Sequence, residues 1–90
     1  MSNGVFMYST RFCPYCVAAR NLLDGKNVDY TDIAVDSEPQ LRREMMERSG
    51  RRTVPQIWIG EQHVGGFDDL VRLERQGRLD ELLERVRPAP

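Results

Sequence analysis

Ninety residues, with 13 Lys and Arg against 14 Asp and Glu, make one domain around one modest core and exclude the strongly basic face that nucleic-acid binding requires. Apolar residues at 40% and charged residues at 30% are an ordinary soluble balance, and no stretch approaches the roughly 18 apolar residues of a membrane span. Met1-Ser2-Asn3-Gly4 is not a basic segment leading into an apolar run, so no signal peptide is expected and the chain is assigned to the reducing cytosol, where a disulfide is transient and catalytic.

Val5-Phe6-Met7-Tyr8 is a short continuous apolar run and reads as a buried central strand. After a loop from Ser9 to Phe12, residues 14–24 have a helical pattern, with Cys16, Ala19 and Leu23 on one face and Leu22 beside them. Gly25 is the expected helix stop. Residues 28–33 alternate and are rich in β-formers, which predicts a second strand. Strand, helix and strand in this order form a βαβ unit, whose crossover is expected to be right-handed. Asp36 or Ser37 is the expected cap of the next helix, and Ser37 followed by Gln40 has capping-box spacing. That helix runs to about Arg48 with Leu41 and Met45 inward, and Ser49-Gly50 end it.

Thr53-Val54-Pro55-Gln56 leads into a third strand, Ile57-Trp58-Ile59. Gly60-Glu61 is a hairpin turn into Gln62-His63-Val64. A helix begins near Asp68 with Leu70 and Leu73 inward, and Gly77 breaks it. Leu79, Leu82, Leu83 and Val86 mark a last helix at i, i+3, i+4, i+7 spacing. The chain is thus a single α/β domain over residues 1–90, with its core within about 5–86 and a frayed tail at 87–90. Trp58 reads as core or sheet-face packing and His63 as a partly exposed strand residue; the pairs Arg42-Arg43 and Arg51-Arg52 read as solvated surface.

The chemistry centres on Cys13-Pro14-Tyr15-Cys16, which holds both cysteines of the chain. A thiol attacks as its thiolate, and a helix N-terminus offers unpaired N–H groups and partial positive charge that favour an anion. Pro14 suits the first helical position, which leaves Cys13 at the helix start as the nucleophile. Cys16 lies one turn deeper and is placed to resolve a mixed disulfide on Cys13. A zinc site needs four ligands, and His63 is the only other soft one. A structural disulfide closing so short a loop gains little, and burial as plain apolar side chains is the remaining alternative. A redox dithiol beside a βαβ unit is the reading adopted.

With these residues in hand, the chain resembles the dithiol glutaredoxins, in particular the short bacterial glutaredoxin 3 type. Three signatures stand in the family's order: Cys13-Pro14-Tyr15-Cys16, Thr53-Val54-Pro55, and Gly65-Gly66-Phe67-Asp68-Asp69. The resemblance spans about Val5 to Leu83 and implies a thioredoxin-like fold, a four-stranded mixed sheet flanked by helices, with a cis peptide before Pro55. It implies a glutathione-dependent disulfide oxidoreductase that reduces protein disulfides and glutathionylated proteins, with ribonucleotide reductase as a family-level substrate. The expected protein is a monomer with no permanently bound cofactor and no metal, membrane or nucleic-acid partner.

The same resemblance implies the glutathione site. Val54, flanked by Thr53 and Pro55, would pair with the cysteinyl backbone; Gly66, Phe67 and Asp68 would hold the γ-glutamyl end; Tyr15 and Arg42 would flank the glycyl end. Two departures stand out. Thr10 occupies a position where many members carry Lys, and Phe67 one where a third cysteine is frequent. The rival readings are a redoxin fed by thioredoxin reductase, against which the Gly65-Gly66-Phe67-Asp68 turn argues, and a dimer bridging a [2Fe–2S] cluster, against which Pro14 and Tyr15 argue.

Overall fold

The computed structural model describes residues 4–86; the tail expected at 87–90 lies outside them. The order is β1 (Val5–Ser9), α1 (Pro14–Gly25), β2 (Tyr30–Ala34), α2 (Pro39–Ser49), β3 (Gln56–Ile59), β4 (Gln62–Gly65), α3 (Phe67–Arg75) and α4 (Leu79–Val86). The strands form one mixed sheet in the order β2-β1-β3-β4. β1 pairs parallel with β2 and antiparallel with β3, and β3 pairs antiparallel with β4.

The two central strands are apolar on both faces because each face is covered by helices. Side chains alternate along a strand, so Val5, Met7, Ile57 and Ile59 join Ala19, Leu23, Leu70, Leu79, Leu82 and Leu83 in the larger core cluster under α1, α3 and α4. Tyr8 and Trp58 join Val35 and Met45 in a second cluster under α2, with Phe6, Ile33 and Leu41 at its margin. There the Tyr8 and Trp58 rings meet edge to face at 5.4 Å. The Arg48 guanidinium lies 4.6 Å from the Trp58 ring centroid, and the buried Tyr8 hydroxyl bonds Glu44 and Arg48.

Three boundaries differ from expectation. β2 starts at Tyr30 instead of Val28, because Tyr30 is the partner of Val5, the first residue of β1; Val28 packs against the larger core cluster. α2 has no Ser37–Gln40 capping box. Its N-cap is Glu38, which makes no side-chain capping bond, and Pro39 occupies the first turn. A residue before proline is disfavoured in the helical region, so Glu38 stays outside the helix at φ −130°, ψ 87°. Gly25 does not stop α1; Lys26 is the C-cap, and Asn27 takes the left-handed conformation at φ 56°, which Asn tolerates better than most residues. α3 starts at Phe67, next to Asp68 as expected, with Gly66 as N-cap. The other stops follow expectation: Gly50 caps α2 at φ 71°, Gly60 turns the β3–β4 hairpin at φ 62° and Gly77 separates α3 from α4 at φ 72°.

Candidate active site

The C-terminal end of β1 delivers the chain to the start of α1, and Cys13 is the α1 N-cap at φ −96°, ψ 115°. Pro14 holds the first turn without needing an N–H donor. The Cys16 main-chain N–H donates to Cys13 Sγ at 3.3 Å, so one of the orphan donors of the helix start is spent on the sulfur. Cys13 is partly exposed and Cys16 is buried, both as free thiols. Burial is the main influence on the Cys16 thiol and pushes it up to about 11; the hydrogen bond and charge of Cys13 act the same way, while the Thr10 main chain and Arg20 oppose the rise.

Across from α1 stands the loop before β3. The Val54–Pro55 peptide is cis, as the resemblance implies, and the Val54 carbonyl oxygen lies 3.8 Å from Cys13 Sγ. Behind this loop, the buried Gln56 side-chain amide donates to the Thr53 carbonyl at 3.0 Å and to Thr53 Oγ1 at 3.2 Å. Its own carbonyl is 2.8 Å from His63 Nε2. Since Gln56 Oε1 can only accept, His63 donates through Nε2. Burial, helped by Arg51, holds His63 below its ordinary value, in keeping with a neutral ring packed on Trp58 at 4.7 Å.

The third wall is the β4–α3 turn. Gly65 adopts φ 117°, a conformation that glycine reaches without strain. Asp69, in the first turn of α3, reaches back to accept from the Gly66 N–H at 2.9 Å. Arg51 Nη1 donates to the same carboxylate at 2.9 Å and Arg72 Nη1 at 3.3 Å. The Arg51 hydrogen bond, then the Gly66 amide, holds Asp69 below the usual carboxylate value.

A cavity of about 330 Å³ lies between these walls, and Tyr15, Thr53, Val54, Pro55, Gly66, Phe67 and Asp68 all line it. The structure therefore brings together seven of the residues expected for the glutathione site. Arg42, the eighth, is in the first turn of α2 and does not line the cavity. Arg51 and Asp69 line it and were not expected to. Arg51 had read as solvated surface, and no pattern in the sequence joins it to Asp69, 18 positions on. Arg11 pairs with Asp36 through its main-chain N–H at 3.0 Å and its side chain at 3.7 Å and does not line the cavity. The Tyr15 and Phe67 rings lie 6.3 Å apart across the mouth. Phe12, directly before the nucleophile, is 91% exposed.

The glutaredoxin family model matches residues 5–64. A glutaredoxin of Pseudomonas aeruginosa is 57% identical over 79 residues, which cover 88% of this chain and 94% of that protein. Glutaredoxin 3 of Escherichia coli K12 is 48% identical over 81 residues, covering 90% and 98%. The solution structure of glutaredoxin from Brucella melitensis superposes with a TM-score of 0.83 at 46% identity, over 98% of this chain and 96% of that one. A buckwheat glutaredoxin–glutathione complex superposes with a TM-score of 0.87 at 29% identity, over 92% and 78%. With a thioredoxin-like sheet, a CPYC helix start and relatives of this closeness, the chain belongs to the glutaredoxin family.

Proposed function

We propose that the chain is a cytoplasmic glutathione-dependent thiol–disulfide oxidoreductase working through Cys13 and Cys16. The observation that carries this is the position of Cys13 Sγ, at a helix start and 3.8 Å from the Val54 carbonyl, beside a cavity of peptide size. The buckwheat relative bound to glutathione supports the choice of ligand.

Glutathione lies extended along Thr53-Val54-Pro55, pairing its cysteinyl main chain with Val54 and setting its sulfur against Cys13. Asp69 already occupies the Gly66 N–H, which leaves the Phe67 and Asp68 amides of the α3 start for the γ-glutamyl carboxylate. The Asp68 side chain takes the γ-glutamyl ammonium. Tyr15 flanks the glycyl end, and Arg42, outside the cavity, meets its carboxylate, for which a guanidinium fork is suited.

In the monothiol route the Cys13 thiolate attacks a protein–glutathione disulfide. The new bond joins Cys13 to the glutathione sulfur, and the electron pair of the broken bond leaves on the protein sulfur, which takes a proton from water. The thiolate of a second glutathione then attacks the glutathione sulfur of the mixed disulfide, releasing Cys13 as thiolate and oxidised glutathione. In the dithiol route Cys13 attacks a protein disulfide, and Cys16 then attacks Cys13 Sγ to give the Cys13–Cys16 disulfide and a fully reduced protein. Two glutathiones reduce that disulfide. Ribonucleotide reductase is the family-level substrate of this second route, and the chain acts as a monomer.

The test is glutathione-driven reduction of a glutathionylated peptide by Cys16→Ser, with and without Asp68→Ala. Cys16→Ser is expected to retain substantial turnover, and Asp68→Ala to raise KM for the peptide about tenfold, as lost charge-assisted bonds do. No turnover from Cys16→Ser, with Cys13 still open to alkylation, would assign reduction to another donor. An unchanged KM would remove Asp68 from the site.

A further inference from the structure

Near Cys16 lies a polar cluster, built on Arg20, Asp32, Ser9 and Thr10, that does not line the cavity. Arg20 follows Cys16 by four residues on α1, hence on the same helix face. Its side chain is only 25% exposed. Nε donates to Asp32 at 2.6 Å, and Nη2 donates to the buried Ser9 hydroxyl at 3.0 Å and to the Thr10 carbonyl at 3.5 Å. The Ser9 hydroxyl in turn donates to Asp32. The guanidinium is thus fixed against the C-terminal end of β1 and the middle of β2, and Arg20 is not among the residues lining the cavity.

The Thr10 peptide links this cluster to the dithiol. Its carbonyl accepts from Arg20, and both the Thr10 main chain and the Arg20 charge counter part of the rise that burial imposes on the Cys16 thiol. We propose that Arg20 is a positioning residue for the dithiol route: clamped by Asp32 and Ser9, it fixes the Thr10 peptide and sets a positive charge on the α1 face that carries Cys16. The proposal rests on Cys16 being the resolving thiol.

The step it serves is the intramolecular one. Cys16 gives its proton to water and attacks Cys13 Sγ. The bond from Cys13 to the substrate sulfur breaks, and its electron pair leaves on the substrate, which is then protonated. In the reverse sense, a glutathione thiolate attacking Cys13 drives the electron pair of the Cys13–Cys16 bond onto Cys16. Both directions place a negative charge on a sulfur with 0% exposure, where water cannot stabilise it. A guanidinium held nearby favours that charge, and it favours nothing in the monothiol route, where Cys16 never ionises.

Arg20→Gln and Arg20→Lys are to be compared in the complete chain and in the Cys16→Ser background. The first readout is the single-turnover rate at which a Cys13 mixed disulfide releases its thiol partner to form Cys13–Cys16. The second is glutathione-driven turnover of a glutathionylated peptide by the Cys16→Ser forms. Arg20→Gln is expected to slow the first about tenfold, the scale of losing one partly buried charge interaction, and Arg20→Lys to recover most of it. In the Cys16→Ser background neither substitution is expected to change turnover by more than about twofold. Equal slowing of both reactions by either variant would reduce Arg20 to a structural residue, and no slowing of the first by Arg20→Gln would remove it from the step. If Arg20→Gln does not fold, Arg20→Met takes its place as the neutral variant of similar length, and the same outcomes decide. Failure of the underlying assignment is separately visible, since Cys16→Ser would then still reduce a protein disulfide.

Discussion

Two sulfurs three residues apart live in different environments, and the difference assigns their roles. Cys13 is partly exposed and receives an N–H bond, whereas Cys16 is buried and, chiefly for that reason, is pushed up to about 11. At neutral pH an alkylating reagent is therefore expected to label Cys13 alone. Burial of Cys16 also ties stability to pH. The folded chain holds the Cys16 proton more tightly than the unfolded chain, whose thiol titrates near the ordinary value of 9.0. The resulting stabilisation is complete below that value and is lost as pH rises from 9.0 towards about 11. The thermal midpoint of the reduced protein is expected to fall across this window more steeply than that of Cys16→Ser. Parallel curves would mean that the thiol is not buried in solution.

At the level of the elements, the β4–α3 turn is tightly constrained. Gly65 holds φ 117°, and a Cβ built on it would overlap the Asp69 carboxylate and press on Arg51 Nη1. Gly65→Ala must therefore strain the backbone and displace the carboxylate that caps α3. The expected cost is about 1–3 kcal/mol of stability, together with a raised KM for the glutathionylated peptide because the Phe67 and Asp68 amides move. Wild-type KM with a lowered melting temperature would show that the turn is structural only. The α1 start was legible because Cys13-Pro14 fixes the cap and the first helical position together. The α2 start was not, since Ser37 and Gln40 have capping-box spacing while the constraint that Pro39 places on Glu38 overrides it. The alternation of strands and helices and seven cavity residues followed from local pattern and from the family signatures. The Arg51–Asp69 pair did not, because it depends on how the loop before β3 lies against α3.

For the molecule as a whole, one sheet serves two separate apolar layers. The larger layer includes Leu79, Leu82 and Leu83 of α4, and the smaller holds Tyr8, Met45 and Trp58 beneath α2. Leu83 is fully buried, so Leu83→Ala is expected to cost about 2–5 kcal/mol, a large share of the roughly 5–15 kcal/mol that stabilises a small domain. Although Leu83 and Trp58 lie on opposite faces, β1 and β3 contribute residues to both layers. In urea, midpoints from far-ultraviolet circular dichroism and from indole fluorescence are therefore expected to fall together. Separated midpoints would mean that the layers unfold independently. The placement of Trp58 makes this comparison clean, because it is the only tryptophan in the chain. Its ring is flanked by the Arg48 guanidinium, the His63 imidazole and the edge of Tyr8. The protein thus carries a native optical probe confined to the α2 face, and its emission reports the integrity of that layer without any label.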